Sequence, residues 1–408
     1  MSKTDADRYV VDAETVEGVA AAAQSGTSPA ASRAGGDGAQ SAALPEPRRL
    51  HPGWFGAVMG TAIIAVAASL NPGHVASLGS PARAVSQTMA VIAFVLALGL
   101  IFPYVGRMVR HPDAALADLR NPTVGALYGT LPGGILVLAA TFAAVGPTWF
   151  SAPTVRTVVA SLDWVGVPLA LAVSVLFAFL LFVRAELDPA VVNGSWFIPP
   201  VVTIVVPLVL TPLVPGASPT SARALLFLAY GFWGMGFLLY LVLLTMLYQR
   251  LTLHALPHAG LAPSLWIGLG PLGVGALALL KLAAVSAAVF GPDAAAMQLA
   301  ANVVATMLWG FGAWWLLAAV VLLVHYLRSG PLPYGVGWWG FTFPLGAYTV
   351  ATLALASTWS LTGLQWVGAG LFILLSCFWL VVVSGTVRSL SVQHRASRAP
   401  GTRGRTDP

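Results

Sequence analysis

The chain alternates between long apolar runs and short polar connections. Beyond residue 50 there are ten apolar runs of roughly 20 residues, and a helix of that length crosses about 30 Å of hydrocarbon. The predicted spans are 53–70, 86–108, 124–144, 164–183, 195–214, 223–249, 263–289, 301–326, 337–356 and 363–387. Because the connections are short, neighbouring spans should pack as antiparallel hairpins. The pattern predicts an all-α integral membrane protein with ten transmembrane helices.

The odd-numbered spans share a motif that recurs about every 70 residues, roughly the length of one two-span helical hairpin. Each odd span begins with an aromatic residue: Trp54, Tyr128, Trp196, Trp266 and Trp338. A group of helix-breaking residues follows: Gly60-Thr61, Pro132-Gly133-Gly134, Pro199-Pro200, Pro271-Leu272-Gly273 and Pro344-Leu345-Gly346. Proline and glycine are common in membrane helices, which accounts for any one span but not for five at near-constant spacing. We therefore predict five parallel-repeat hairpins, with odd helices ringing a central pore and even helices facing lipid.

The motif also supplies candidate pore residues. A proline inside a helix removes one backbone hydrogen bond, and the irregular backbone is tolerated at membrane depth where it lines a cavity or packs against protein. A half-helix starting at such a break would point its positive end into the cavity and favour anions. The predicted lining or kink residues are Gly60, Thr61, Pro132, Pro200, Pro271 and Pro344, with further threonines at Thr130, Thr203 and Thr349.

Composition supports the membrane assignment. Of the 408 residues, 58% are hydrophobic and 8% are charged, against about 25% charged in a soluble domain. The net charge of +6 does not suggest nucleic-acid binding, because the basic residues lie at loop rims and in the tails. With both chain ends in the cytoplasm, only Arg83, Arg156 and Arg223 mark outer span ends, which fits the positive-inside rule. We predict a multi-pass protein of the plasma (inner) membrane.

Three regions follow from this division. Residues 1–47 are rich in Ala, Gly and Ser and are predicted to be a disordered cytoplasmic tail. Residues 48–390 form the ten-helix membrane domain, and residues 391–408 a basic cytoplasmic tail.

One charged residue lies well inside a predicted span. Asp163 and the other carboxylates fall at predicted span ends or in loops, so the intramembrane acids of proton-coupled carriers and cation channels are not expected. Lys281 lies well inside span seven, where a charge costs at least about 2.5 kcal/mol. Lys281 either draws anions into the pore or extends its ammonium group to the outer interface.

Cofactor chemistry has little support in the sequence. None of the seven histidines lies in mid-span, so a haem or metal site is not expected. The single cysteine, Cys377, excludes a disulfide scaffold or a thiolate metal cluster. A phosphate-binding Gly-Lys-Ser/Thr motif is also missing from the sequence. We predict no cofactor and no enzymatic activity.

Three segments resemble a known family. Residues 51–61, His-Pro-Gly-Trp-Phe-Gly-Ala-Val-Met-Gly-Thr, are similar to the first-helix signature of the tellurite-resistance/dicarboxylate transporter family. Residues 195–201 and 338–344 resemble its fifth and ninth helices. The family includes bacterial TehA-type proteins, fungal malate and sulfite transporters, and plant slow anion channels. The resemblance covers roughly residues 48 to 390.

The resemblance implies ten helices as five hairpins, anion permeation and a homotrimer. It also implies that a ninth-helix phenylalanine plugs the pore opposite a small residue on the first helix. The matching residues are Phe343 and either Gly56 or Gly60. Phe343 could instead be a packing residue between helices. No second pore phenylalanine is found in span five, unlike in the plant channels.

Two functions remain open at this stage, and a third is disfavoured. The first is an anion channel or permease for small anions or C4-dicarboxylates, gated by Phe343. The second is a proton-coupled secondary transporter of dicarboxylates, sulfite or tellurite. A membrane-embedded enzyme or scaffold is disfavoured because the chain has no polar catalytic cluster.

Overall fold

The computed structural model describes residues 50–184 and 186–398, with side chains described as far as residue 392. The predicted N-terminal tail at 1–47 lies outside the described residues. Within those ranges the chain is helical, and ten helices are long and apolar enough to cross a membrane. The predicted all-α, ten-span fold is confirmed.

Five short α-helices of 13 to 17 residues form the inner part of the protein, and most of their side chains are buried. They are α1 Phe55–Ser69, α3 Thr130–Val145, α5 Ile198–Leu210, α7 Leu269–Val285 and α9 Thr342–Thr358. Five long helices of 31 to 37 residues lie outside them, largely exposed. They are α2 Gly79–Arg110, α4 Ala152–Phe182, α6 Pro219–Leu253, α8 Ala294–Ser329 and α10 Thr362–Arg398.

The inner helices close into a ring. Each packs against the next in the order α1, α3, α5, α7, α9, and α9 returns to α1. Each outer helix packs against its own inner partner and also against the inner helix of the next hairpin, as α4 does against α3 and α5. Burial therefore follows the predicted parity: odd helices inside, even helices towards lipid.

Each inner span enters through a 3-10 segment before its α-helix begins. The segments are Pro52–Trp54, Gly125–Gly129, Gly194–Phe197, Ala259–Gly268 and Val336–Phe341. All five aromatic residues of the repeat motif lie in these segments. Tyr128, Trp196 and Trp266 are buried, and the Trp196 indole donates to the carbonyl of Pro122 at 2.8 Å. These aromatics therefore pack hairpins together rather than anchoring the chain at a lipid interface.

The motif prolines do not break the inner helices. Pro132, Pro271 and Pro344 are each the third residue of an α-helix, and Pro200 occupies the same place in α5. Proline is compatible with the first turn, where its missing N–H is not needed for an intrahelical bond. The predicted mid-span kink at these residues is wrong. They mark the change from 3-10 to α geometry.

Free helix N-termini in the cavity are also not observed. The first residue of each inner α-helix donates its backbone N–H to a carbonyl of the preceding 3-10 segment. The predicted anion preference therefore does not come from the first N–H group of these helices. These five N–H groups are satisfied within the chain, as a low-dielectric setting requires.

Several outer helices start earlier or end later than hydropathy predicts. α2 begins at Gly79 rather than near residue 86, and α10 continues to Arg398, beyond the predicted start of the C-terminal tail. α4 begins at Ala152, twelve residues before the predicted span. Arg156 and Asp163 interrupt the apolar run, but the helix continues through both. The Arg156 guanidinium donates to the carbonyls of Leu213 and Pro215. The expectation that no carboxylate lies inside a span is wrong, since Asp163 is within α4.

Candidate functional site: two vestibules on the ring axis

Two cavities lie inside the ring of inner helices, one at each end. The cavity at the N-terminal ends of the inner helices, here the proximal vestibule, has a volume of about 100 Å³. The cavity between their C-terminal halves, the distal vestibule, has a volume of about 250 Å³. All five inner spans contribute to both. Stacked cavities inside a helical ring provide the geometry of a permeation path.

Among the described residues, Phe343 alone lines both vestibules. It is the second residue of α9 and is 6% exposed. On the proximal side the lining includes Met59 and Val201, and on the distal side Ile63 and Ala347. The Phe343 ring therefore stands where one cavity gives way to the other, in an apolar surround.

The two glycines predicted opposite Phe343 have different neighbours. Gly56 lines the proximal vestibule, and a Cβ built on it would meet only Trp339, at 3.2 Å. A Cβ on Gly60 would lie 2.0 Å from the Thr342 Oγ1, so Gly60 serves close packing of α1 against the start of α9. The Phe343 ring is not among the atoms nearest to a Cβ built on either glycine.

The predicted polar path along the threonines is not present. Thr61, Thr203 and Thr349 are fully buried, and each hydroxyl donates to a carbonyl of its own helix. Thr61 also accepts a hydrogen bond from the Trp379 indole at 3.1 Å, so it faces α10 rather than the axis. Of this set, only Thr130 lines a vestibule. Helical threonines commonly bond back to an earlier carbonyl, and the sequence does not reveal this choice.

The prolines contribute unequally to the path. Pro344 lines the proximal vestibule, whereas Pro200 lines a separate crevice between α4 and α6 on the outside of the ring. Pro132 and Pro271 are buried and line neither vestibule. Most lining residues are ordinary apolar side chains such as Ile63 and Val205, which no sequence motif singles out.

Lys281 lines the distal vestibule near the C-terminal end of α7. Among the described residues lining either vestibule, Lys281 alone carries a charge. It is exposed and forms no ion pair within the described part of the chain. This position is compatible with both predicted roles of Lys281. The helix ends four residues later at Val285, so the ammonium group can extend to the interface, and the side chain borders the cavity, so it can also attract anions.

A polar cluster that the sequence did not predict ties hairpins one and two together at the proximal end. Arg107 pairs with Asp118 and donates to the Tyr128 hydroxyl at 3.1 Å. Nearby, His51 Nδ1 accepts a hydrogen bond from the backbone N–H of Gly53. Burial lowers the pKa of His51, Asp118 partly opposes the shift, and Arg107 adds to it. His51 is therefore neutral near pH 7 and keeps its acceptor nitrogen.

A resident metal centre has no support in the described residues, where no three His, Cys, Asp or Glu side chains come together. The site instead offers an apolar axial path, one aromatic side chain between its halves and one cation at its distal end.

Residues 49–387 match the family model described as voltage-dependent anion channel, SLAC1. The chain belongs to the SLAC1 family. This membership confirms the resemblance to the tellurite-resistance/dicarboxylate transporter family seen in the first, fifth and ninth spans. The matched region extends from just before α1 into α10, so it covers every hairpin of the ring.

Individual SLAC1-family relatives span most of the chain. It is 32% identical over 339 residues to an uncharacterized transporter of Methanocaldococcus jannaschii, covering 83% of this chain and 93% of that one. It is 28% identical over 361 residues to a sulfite efflux pump of Trichophyton rubrum, covering 83% and 90%. A shorter match of 168 residues, at 24% identity, links it to the malic acid transport protein of Schizosaccharomyces pombe, covering 40% and 38%. The family is one of transporters and channels for anions.

Proposed function

We propose that the protein is a passive anion channel or permease whose path follows the ring axis. Anions enter one vestibule, pass Phe343 and leave through the other. The observation that supports this proposal is that all five inner spans line both vestibules and that, of the residues the structure describes, the two linings share only Phe343. A hydrophobic constriction of this kind blocks ions by excluding water, and movement of one ring opens it.

The substrates we propose are small anions or C4-dicarboxylates. Relatives named for sulfite efflux and malic acid transport support this range. The distal vestibule, at about 250 Å³, is of a size to hold a small dicarboxylate. Lys281 supports a preference for anions over cations, since it brings positive charge to an otherwise uncharged lining.

We further propose that the protein lies in the plasma membrane with both termini cytoplasmic, and that three copies assemble. The arginine distribution supports this orientation, which puts the proximal vestibule on the cytoplasmic side. The family resemblance is the support for the trimer. Mass measurement of the purified protein in detergent would test the trimer, and accessibility of single cysteines placed at Ser218 and His254, at the two ends of α6, would test the orientation.

The decisive experiment is anion flux from proteoliposomes with and without a pH gradient. In a passive path, anions flow down their own gradient, and the direction of flux does not depend on the proton gradient. Uphill accumulation of sulfite or malate driven by protons would instead establish the alternative, a proton-coupled transporter. A panel of chloride, nitrate, sulfite, malate and tellurite would identify the substrate.

Lys281 gives a separate prediction on selectivity. We expect Lys281→Ala to weaken the preference for anions over cations, moving the reversal potential in a salt gradient towards zero. Loss of one cation within about a Debye length of the path, ~10 Å at 0.1 M salt, removes an attraction that Lys281→Arg would retain. Bilayer recordings of the two variants measure the shift. An unchanged reversal potential in Lys281→Ala would show that the ammonium group serves the interface only.

A further inference from the structure

Asp163 is a buried acid that the axial path does not use. It lies in α4, eleven residues after the helix begins at Ala152, which is about 16 Å along the axis at 1.5 Å per residue. The residue is 5% exposed. Both carboxylate oxygens are buried, and neither has a hydrogen-bond partner among the described residues.

The surroundings of Asp163 are apolar and tightly packed. One turn earlier, Val159 belongs to a cluster with Phe142 of α3 and with Leu213, just beyond α5. One turn later, a Cβ built on Gly166 would lie 2.7 Å from the Leu136 side chain of α3, so the helices are in close contact there. Asp163 therefore sits in the seam where α4 packs against α3 and α5.

Charges that could pair with Asp163 are missing from the packed elements. α3, α5 and the 3-10 turns Gly146–Thr148 and Thr211–Leu213 contain no titratable side chain. On α4 itself, Arg156 is two turns away and is engaged with the carbonyls of Leu213 and Pro215. Two further elements contact α4, the helix Pro112–Arg120 and the segment Gly125–Gly129. Their titratable residues, Asp113, Asp118, Arg120 and Tyr128, precede α3, at the opposite end of that helix from Phe142. The outer helices α2 and α6 reach the cluster through Phe94 and Leu225, and the nearest charged residues on them, Arg83 and Arg223, are exposed and form no ion pair among the described residues.

An ionised carboxylate in this seam would be desolvated without compensation. The free-energy cost of a buried, unpaired charge far exceeds that of a buried, neutral acid, so such groups take up a proton instead. We propose that Asp163 is an intramembrane proton-binding site. One carboxylate oxygen takes a proton from water to give the neutral acid, and the proton returns to water only when the seam between α4 and helices α3 and α5 is hydrated.

The position of the site links it to the wall of the distal vestibule. On their other faces, α3 and α5 line that vestibule with residues such as Val137, Ala140, Val205 and Leu208. Ionisation of Asp163 favours any conformation in which the seam opens, and therefore a looser wall. Asp163 would therefore make the conformation of the protein depend on pH without coupling proton movement to anion transport. This inference goes beyond the proposed function.

Infrared spectroscopy tests the protonation state directly, without a transport assay. We expect the purified protein in lipid nanodiscs at neutral pH to show the carbonyl stretch of a protonated carboxylic acid. Asp163→Asn should abolish this band, because asparagine keeps the shape and removes the acid. Asp293→Asn, which alters an exposed acid beyond α7, is the matched control and should leave the band intact.

Two spectra would overturn the proposal. The first is a wild-type protein without the band at neutral pH, which would mean an ionised, ion-paired Asp163. The second is a band that persists in Asp163→Asn. If Asp163→Asn fails to fold, the wild-type spectrum alone still shows whether a protonated carboxylic acid is present at neutral pH. Absence of anion flux would overturn the proposed function but leave the proton site standing.

The pH dependence of thermal stability gives an independent measurement. At neutral pH an unfolded aspartate is ionised, whereas the folded protein holds a proton on Asp163. The folded state then binds more protons than the unfolded state, so stability falls as pH rises. We expect Asp163→Asn to remove that part of the slope and Asp293→Asn to retain it. Equal slopes in wild type and Asp163→Asn would contradict the proposal.

Discussion

Replacing Phe343 with alanine should raise anion conductance at least about tenfold, a barrier change of about 1.4 kcal/mol. The Phe343 ring is the only side chain that the linings of both vestibules share in the described part of the chain, so its removal joins them into one cavity. A wider apolar passage holds water more readily, and hydrated anions then cross without losing their shell. Single-channel recording or proteoliposome flux measures the increase.

Phe341 provides the matched control two residues away. It is also buried, but its ring packs between Trp266 and Phe378, at centroid distances of 5.5 and 5.3 Å, and lines neither vestibule. Phe341→Ala should cost packing energy without raising conductance. Both truncations remove a buried aromatic, typically at about 3–5 kcal/mol, so expression and folding are checked for each. A similar rise in both variants, or none in Phe343→Ala, would reject Phe343 as the constriction.

The second large effect is expected at Gly273, where α7 meets α9. A Cβ on Gly273 would lie 2.5 Å from the Tyr348 backbone N and 2.6 Å from the Ala347 carbonyl carbon. Backbone atoms of a packed helix cannot rotate aside, so Gly273→Ala forces the two inner helices apart. We expect a loss of about 1–3 kcal/mol in the free energy of unfolding, the usual cost of overpacking. Thermal unfolding in one detergent measures it.

Gly275, on the same helix, supplies the comparison. A Cβ there would make ordinary contacts of 3.5 Å with Phe237 and 3.6 Å with Leu308. Alanine is also preferred over glycine in a helix by up to about 1 kcal/mol, so Gly275→Ala should be neutral or stabilising. Stability changes of opposite sign from two glycine-to-alanine substitutions, two residues apart on one helix, would isolate the effect of the backbone clash. Equal melting temperatures would show that α7 and α9 tolerate separation.

The architecture could be predicted because it depends on a repeated signal. Five aromatic residues spaced about 70 residues apart fixed the parity of inner and outer helices, and each aromatic lies in a 3-10 entry segment. Hydropathy located all ten spans but not their ends. The predicted fourth span begins just after Asp163, whereas α4 begins at Ala152, because packing against α3 and α5 outweighs the local polarity.

The fine structure of the path could not be predicted, for reasons of orientation. Whether the Thr61 hydroxyl faces the axis or the Ala57 carbonyl depends on a rotamer, which spacing does not encode. Whether Pro271 kinks a helix or begins one depends on where the 3-10 segment ends, which is at Gly268, three residues before it. The apolar lining residues resemble any others in a membrane helix. Phe343 was singled out by family resemblance rather than by composition.

The closure of the ring between its first and last hairpins has a consequence for biosynthesis. The hydrogen bond from Trp379 to Thr61 joins residues 318 positions apart, and α9 also packs against α1. Chains are synthesised from the N-terminus, so α1 must wait in the bilayer until the ribosome has delivered nearly everything else. During that interval the small side chains of α1 contact lipid or a chaperone, and the ring of inner helices is still open between α1 and α7.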